Sequence, residues 1–186
     1  GHSLINNPNW SDGSILENFI PYESLHGKHV LEIGCGAGLV SSHISRAGAK
    51  LHTIDLTEQA ISMTQKRFEL GNLTGEICQM DAEKLEFFDK SMDVIVSWGV
   101  IHHSGNMVAI LAEIHRVLRP GGSAYIMVYN RDSLRYNVYC RFWLGVLKLK
   151  LLSNLVEEIA GSVMDGYIAR HLTEREFRDM SHKFSS

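Results

Sequence analysis

The sequence predicts an α/β fold with a doubly wound, mostly parallel sheet and helices on both faces. Three observations predict it. Short apolar runs alternate with helical patterns, most of the runs lack strict polar alternation, and a glycine-rich turn joins the first run to the first helix. Strands of this kind have both faces covered, and strand–helix alternation implies right-handed crossovers between parallel strands.

Five apolar runs are predicted as strands, of which the third is the weakest. They cover residues 29–33, 50–55, 76–81, 92–98 and 123–129. The fifth run follows the turn Leu118-Arg119-Pro120-Gly121-Gly122, whose proline and glycines are expected to stop the preceding helix. This spacing leaves room for one helix between most pairs of strands.

Helices are predicted over residues 39–47, 57–70 and 107–118, and a last one opens near residue 173. Thr57 is suited to the N-cap of the second helix, and Gly71 is expected to end it. The run Thr173-Glu174-Arg175-Glu176 has the spacing of a capping box.

Composition indicates a globular protein of one domain. The chain has 186 residues, 45% hydrophobic and 21% charged, with a net charge of −3. No apolar run is long enough to span a membrane, and the slightly acidic balance argues against nucleic acid as a partner. Cys35, Cys78 and Cys140 show no metal or disulfide spacing, so we expect no metal site, reduced thiols and a cytoplasmic location.

The turn Gly34-Cys35-Gly36-Ala37-Gly38 has the composition of a ligand-binding loop. Glycines let the backbone turn sharply and let a ligand approach closely, although a ligand-free connection remains an alternative. Asp55 ends the second run, 21 positions after Gly34, where an acid can accept hydrogen bonds from a ribose diol. Together they indicate an adenosine-containing ligand, either a dinucleotide or S-adenosylmethionine.

Two features favour S-adenosylmethionine over a dinucleotide. Leu39 stands where the dinucleotide fingerprint has its last glycine. Asp81-Ala82 closes the third run, where an acid and a small residue can address an adenine edge. A simple turn aspartate is the alternative interpretation of Asp81.

Taken as a set, these segments resemble the class I S-adenosylmethionine-dependent methyltransferases, in the type 11, small-molecule branch. Residues 30–38 resemble that family's first motif, and Asp55, Asp81-Ala82, residues 97–103 and residues 118–122 resemble later ones in the right order. The likeness covers about residues 25 to 130. It implies a Rossmann-like fold, S-adenosylmethionine as cofactor and S-adenosylhomocysteine as product.

The resemblance also implies roles for individual residues. At the methionine end it implies that Glu32 holds the amino group and that the turn contributes its backbone, with Gly34, Cys35, Gly36 and Gly38 as cofactor-binding residues. It further implies backbone contacts from Ser97 and Trp98, with His103 near the cofactor's rim.

At the adenosine end the resemblance implies four more contacts. Asp55 would bind the ribose hydroxyls and Leu56 would pack on the adenine, while Asp81 and Ala82 would meet its edge. The implied activity is methyl transfer to a small-molecule acceptor by in-line displacement. Two alternatives are a nicotinamide-dependent oxidoreductase and a non-catalytic module that only binds S-adenosylmethionine.

His102 and His103 are the candidate catalytic residues, because histidine titrates near neutral pH. The alternative is that the pair only shapes the pocket, since catalysis here rests mainly on positioning. Ser97-Trp98-Gly99-Val100 stands where enzymes acting on nucleobase amino groups carry an Asn/Asp-Pro-Pro-aromatic motif, so no nucleic-acid acceptor is expected.

The expected organisation is a single methyltransferase domain. It has an N-terminal lid or helix (1–27, with Trp10 as an anchor), a cofactor-binding core (28–130), a cap-like helical insertion (131–172) and a last helix (173–186). The apolar stretch 134–160 is expected to contact the acceptor or, weakly, a membrane surface. The family's final strands are expected to be missing, and the chain to be a monomer or homodimer.

Overall fold

The computed structural model describes residue 16, residues 18–131 and residues 170–182. The chain divides into two compact units, which are described separately. The first unit comprises Gly1–Trp98 and Ala112–Ile126, and the second comprises Gly99–Leu111 and Met127–Ser186. The expectations for Trp10 and for residues 134–160 lie outside the described residues. The predicted division into four segments stays a prediction.

Five strands form one parallel sheet in the order β3-β2-β1-β4-β5. Their bounds are β1 His29–Ile33, β2 Lys50–Asp55, β3 Glu76–Gln79, β4 Met92–Trp98 and β5 Leu118–Met127. The chain builds outward from β1 to β3, then crosses to β4 on the other side of β1. The predicted doubly wound fold is confirmed.

Four helices are described: α1 Leu39–Arg46, α2 Glu58–Gly71, α3 Met107–Val117 and α4 Glu174–Ser181. Thr57 caps α2 by accepting a hydrogen bond from the Ala60 N–H, as predicted. Thr173 and Glu176 form the predicted capping box of α4. None of the described helices is long and apolar enough to cross a membrane.

Several element boundaries differ from the sequence prediction by one to five residues, and three of these differences have a cause in the local structure. The Asp81 carboxylate accepts a hydrogen bond from the Glu83 N–H at 2.8 Å, so β3 gives way to a turn after Gln79. The left-handed residue that ends α2 is Asn72, with φ 47°, rather than Gly71.

The third difference is at β5, which begins at Leu118, directly after α3, instead of after the Pro-Gly-Gly turn. A Cβ on Gly122 would lie 2.8 Å from the Asp93 carbonyl oxygen. The backbones of β4 and β5 therefore approach so closely that glycine lies inside the strand rather than before it.

One face of the sheet carries the main apolar core of the first unit. On this face Val30 of β1 packs with Val94 and Val96 of β4. Helices α1 and α2 contribute Ile44 and Phe68 to the same cluster. The N-terminal segment also joins it, through Leu16, Ile20 and Leu25.

Strand order places a topological switch between β1 and β4. Strand β1 is followed by a crossover in one direction, towards β2, and β4 by one in the other, towards β5. Right-handed crossovers then lie on opposite faces and leave a crevice at the carboxyl ends of β1 and β4, where ligands of such sheets bind. The register pairs Glu32 with Val96, so the ends of both strands reach the same edge.

Candidate cofactor site

The turn after β1 is built on three glycines with left-handed backbone. Gly34, Gly36 and Gly38 have φ of 84°, 51° and 75°. A Cβ on Gly38 would lie 2.9 Å from the Thr64 Oγ1 atom, whereas one on Gly36 would meet nothing within 4 Å. Gly38 is thus required by close packing as well as by conformation, and space is open beside Gly36.

Backbone N–H groups of this turn are bound within the protein. The Gly34 and Cys35 N–H groups both donate to the Ile54 carbonyl, at 2.8 and 3.1 Å. The Gly36 N–H donates to Asp55 Oδ2 at 3.1 Å. The backbone contacts that the resemblance implies must therefore come from elsewhere in the turn. Among the described residues nothing donates to the Gly34 carbonyl, which leaves it as an acceptor.

Glu32 is a buried acid at the end of β1, with 2% of its surface exposed. Its Oε2 atom accepts hydrogen bonds from the Ser41 hydroxyl and, at 2.7 Å, from the Thr53 hydroxyl. Burial raises the pKa of Glu32 to about 7, against the lowering effect of these hydroxyls, and nearby Asp55 raises it slightly further. The carboxyl has no basic partner among the described residues, so a bound cation would favour its ionised form.

Asp55 links the glycine turn to the start of α2. Its Oδ1 atom accepts from the Thr57 N–H at 3.0 Å and from the Thr57 hydroxyl at 2.9 Å. Its Oδ2 atom holds Gly36, as described above. The Oδ1 atom thus accepts two hydrogen bonds, whereas Oδ2 accepts one and has a further lone-pair site, so Asp55 can still accept from a ligand hydroxyl through Oδ2.

The residues predicted at the adenosine end lie beside Asp55. The Asp55 carbonyl accepts from the Met80 N–H at 3.0 Å, which places Asp81 and Ala82 next along the chain. The Gln79 amide donates to the Leu56 carbonyl at 2.9 Å. Leu56 is 66% exposed, which is unusual for a leucine and leaves its side chain open to an apolar ligand surface.

Ser97 and Trp98 end β4. By the pairing of Glu32 with Val96, Ser97 lies level with Ile33 and Trp98 with Gly34. Ser97 is fully buried, and its hydroxyl has no hydrogen-bond partner among the described residues. The structure thus brings the β4 end and the glycine turn to one edge of the sheet.

His102 and His103 belong to the second unit, in a single 3-10 turn, Ile101–His103. The His102 ring lies 4.2 Å from the His103 ring and 4.1 Å from the Tyr129 ring, between centroids. His102 is fully buried, and neither ring nitrogen has a partner among the described residues. Burial, with smaller effects from His103 and His171, lowers the pKa of His102 to about 3.

This environment separates the two candidate catalytic residues. A ring that stays neutral down to such low pH is a weak proton acceptor, so His102 is poorly suited to be a general base. His103 is exposed and remains the candidate.

The hydroxyl groups that bind Glu32 and the glycine turn were not predicted from the sequence. Ser41 and Thr53 satisfy the Glu32 carboxyl, and the Thr64 hydroxyl donates to the Gly36 carbonyl at 3.2 Å. Thr53 carried a usable signal, because a polar residue in an otherwise apolar, buried strand needs a partner. Phe19, whose ring contacts Trp98, carried none.

Comparison with known families decides the assignment. A family model described as a methyltransferase domain matches residues 31–126, more than half of the chain. The chain belongs to this methyltransferase family. The matched part of the chain contains the glycine turn, Asp55, Asp81 and Trp98, which confirms the resemblance inferred from the motifs.

Two similar proteins illustrate the family. The chain is 36% identical over 117 residues to a phthiotriol/phenolphthiotriol dimycocerosates methyltransferase of Mycobacterium leprae, covering 62% of this chain and 43% of that one. It is 30% identical over 122 residues to a ubiquinone biosynthesis O-methyltransferase of Nitrosococcus oceani, covering 65% and 52%. The chain therefore spans about half the length of these curated relatives.

Solved structures share the fold. The YcgJ protein of Bacillus subtilis is 19% identical, with a TM-score of 0.69 over 94% of this chain and 68% of its own. A SAM-dependent methyltransferase of Aquifex aeolicus is 22% identical, with a TM-score of 0.52 over 62% and 64%. At this level of identity the likeness establishes the fold.

Proposed function

We propose that the methyltransferase binds S-adenosylmethionine at the carboxyl edge of β1, β2 and β4 and catalyses transfer of its methyl group to a small molecule. The observation that carries the proposal is the buried Glu32 carboxyl, which has no cation beside it in the described structure. A turn in which the N–H groups of Gly34, Cys35, Gly36 and Gly38 are already bound within the protein, next to two acids, suits a cationic ligand better than a pyrophosphate.

The residues present fit this cofactor. Glu32 and the Gly34 carbonyl are acceptors suited to an ammonium group, and Asp55 is suited to ribose hydroxyls. The exposed Leu56 side chain offers an apolar surface for adenine. Asp81 and Ala82 follow Met80, whose N–H donates to the Asp55 carbonyl. The open space beside Gly36 leaves room for close approach.

When bound, S-adenosylmethionine supplies a methyl group on a positively charged sulfur that an acceptor can displace in line. The protein's own residues contribute binding, orientation and exclusion of water, which can account for several kcal/mol of the barrier. A general base is needed only when the acceptor carries a proton at working pH. We assign that role to His103 where it is needed, because burial keeps His102 neutral.

The names of the two relatives favour a small-molecule acceptor, and one of them specifies an oxygen atom. We extend the small-molecule class to this chain, with no nucleic-acid partner. The cytoplasmic location and the choice between monomer and homodimer stay predictions from the sequence.

A calorimetric titration of the 186-residue chain tests the cofactor. We expect micromolar binding of S-adenosylmethionine and S-adenosylhomocysteine and none of NAD. Binding of NAD without S-adenosylhomocysteine would instead indicate an oxidoreductase. Binding of S-adenosylmethionine without transfer to any of a panel of hydroxylated small molecules would favour the non-catalytic module.

Asp55→Ala tests the ribose contact. Loss of a charged acceptor is expected to weaken S-adenosylmethionine binding by about 1 to 3 kcal/mol. Asp179→Ala is the control, because Asp179 is 73% exposed on α4 and its nearest partner is 4.0 Å away. An Asp55 variant that stays folded and binds with unchanged affinity would remove Asp55 from the site.

A further inference from the structure

Phe19 is a largely exposed aromatic residue whose neighbours in the chain are buried. Its ring is 58% exposed, whereas Leu16 and Ile20 on either side are buried in the core, at 7% and 0%. The Phe19 N–H donates to the Leu16 carbonyl at 2.9 Å, and the Ile20 N–H to the same oxygen at 2.8 Å. The position of Phe19 is thus fixed by its neighbours, while its own ring gains little from burial.

The segment that carries Phe19 runs along the sheet in the direction opposite to β1. Near the amino edge the Gly27 N–H donates to the Gly48 carbonyl at 2.9 Å. Further along, the Tyr22 ring lies 5.6 Å from the His43 ring of α1. Phe19 therefore lies towards the carboxyl edge, the edge at which the glycine turn lies.

At that edge the Phe19 ring contacts Trp98, with 5.6 Å between centroids and 50° between the planes. Side chains alternate along a strand, so Trp98 lies on the same face as Val96, the register partner of Glu32. One strand spacing and two residues along the strand separate Trp98 from Glu32, about 8 Å between Cα atoms. The two rings and the buried carboxyl share one corner of the crevice.

The charges around this corner are complementary to a cation. Glu32 and Asp55 are the acids at the glycine turn, and neither forms an ion pair within the described part of the chain. The nearby guanidinium of Arg67 is bound to the Ala37 carbonyl at 2.6 Å. Aromatic faces attract cations because of their quadrupole, and most strongly where water is excluded.

We propose that Phe19 and Trp98 form an aromatic corner that binds the positively charged sulfonium group of the cofactor, while Glu32 takes the ammonium group. This assignment rests on the proposed function. It makes Phe19 a cofactor-binding residue that distinguishes the charged cofactor from its neutral thioether product. S-adenosylmethionine and S-adenosylhomocysteine share the ammonium group and the adenosine, so their affinity ratio isolates the sulfonium.

Phe19→Leu tests the corner, because leucine keeps an apolar side chain and removes the π face. We expect the dissociation constant for S-adenosylmethionine to rise about 3- to 10-fold and that for S-adenosylhomocysteine to change less than about 2-fold. Phe19→Tyr keeps the ring and is expected to retain both affinities. Phe88→Leu is the matched control, because Phe88 is 90% exposed in the loop before β4.

Equal weakening of both ligands would overturn the proposal, since it would show that Phe19 is only an apolar cover. An unchanged affinity for S-adenosylmethionine would also overturn it. Thermal unfolding of each variant shows whether the fold is kept. If Phe19→Leu unfolds, Phe19→Tyr is used in its place. Phe19→Tyr is expected to retain the wild-type ratio of the affinities for S-adenosylmethionine and S-adenosylhomocysteine, and loss of that ratio would contradict the proposal. Failure of the unaltered protein to bind either ligand would contradict the proposed function instead.

Discussion

The end of β1 and the turn after β4 each contain a buried polar group, and the two groups differ in their hydrogen bonding. At the first, the Glu32 carboxyl receives hydrogen bonds from two hydroxyl groups. At the second, both ring nitrogens of His102 are buried without a partner among the described residues. Burial favours the neutral form of both groups, but a bound cation would favour ionisation of the first, whereas nothing described beside the second favours its charge.

This difference makes the two turns respond to pH in opposite directions. Burial raises the pKa of Glu32 to about 7, so the folded state holds a proton that the unfolded state releases above about pH 4.5, and stability falls as pH rises from there to 7. Burial lowers the pKa of His102 to about 3, so the unfolded state takes up a proton first, and stability falls as pH drops below 6.5.

The largest effect is expected from Gly38→Ala, which breaks the first turn. Gly38 has φ 75°, and a Cβ there would lie 2.9 Å from the Thr64 Oγ1 atom and 3.1 Å from its Cα. Left-handed strain of about 1 to 2 kcal/mol and overpacking of about 1 to 3 kcal/mol add to about 3 kcal/mol of lost stability. Urea unfolding measures it.

Gly36→Ala is the matched control for that substitution. Gly36 also has a positive φ, of 51°, but a Cβ there would meet nothing within 4 Å. Only the conformational cost of about 1 kcal/mol is therefore expected. Equal losses for the two variants would show that contact with Thr64 does not constrain the turn.

Glu32→Gln sharpens the comparison through pH. The glutamine cannot titrate, so the free energy of unfolding of the variant, relative to that of the wild type, is expected to rise between about pH 4.5 and 7. A pKa raised from 4.5 to about 7 corresponds to about 3 kcal/mol in the difference between pH 5 and pH 8. Urea unfolding of both proteins at the two pH values gives this number.

Glu69→Gln is the control for Glu32, because the Glu69 side chain is 70% exposed and pairs only with Lys66 in the described structure. The pH dependence of its stability is expected to match that of the wild type.

The affinity of the wild type for S-adenosylmethionine is expected to rise about 10-fold from pH 5 to 7, since a cation favours the ionised carboxyl. The affinity of Glu32→Gln is expected to be the same at both pH values. If the difference in stability between the wild type and Glu32→Gln is the same at both pH values, Glu32 does not have a raised pKa.

His102→Phe tests the opposite response at the second turn. Phenylalanine keeps a ring against Tyr129 and has no proton to take up. Between pH 7 and 5 the free energy of unfolding of the wild type, relative to that of His102→Phe, is expected to fall by about 2 kcal/mol, because burial lowers the pKa of His102 far below 6.5.

The exposed His182 supplies the comparison for His102. His182→Gln should leave the acid unfolding curve of the wild type unchanged, since an exposed ring is solvated in both states. Superimposable acid curves for the wild type and His102→Phe would mean that the His102 ring becomes charged in the folded protein.

Much of the sheet was predictable because its signals are local. Apolar runs gave β1, β2 and β4 with correct bounds, and Thr57 and Thr173 gave the starts of two helices. The start of β5 was not predictable, because the close approach of Gly122 to the Asp93 carbonyl depends on the neighbouring strand.

The site was predictable only in part, for the same reason. Motifs identified the glycine turn and Asp55, which a hydrogen bond joins in the structure. The binding of the Gly34, Cys35 and Gly36 N–H groups by Ile54 and Asp55 depends on how β1 and β2 pair. The contact between Phe19 and Trp98 was not predictable, because the two residues are far apart in the chain and no local sequence pattern indicates that they meet.

The smallest effect is expected from Thr57→Ala, which loosens the first turn at its edge. The Thr57 hydroxyl accepts from the Ala60 N–H at 3.3 Å and donates to Asp55 Oδ1 at 2.9 Å, so it caps α2 and orients the acid that holds Gly36. Loss of this cap is expected to cost about 1 kcal/mol of stability.

Thr57→Ser and Thr173→Ala separate the two parts of that effect. Serine restores the hydroxyl, so Thr57→Ser should recover most of the lost stability. Thr173→Ala removes the equivalent cap of α4, where the hydroxyl serves a capping box rather than Asp55. Both alanine variants should therefore lose similar stability. Only Thr57→Ala is expected to weaken binding of S-adenosylmethionine, by about 2- to 5-fold. This loss is modest because Asp55 keeps its other hydrogen bonds. Unchanged binding in Thr57→Ala would mean that Asp55 is oriented without the threonine and that the two caps differ only in the helix that they begin.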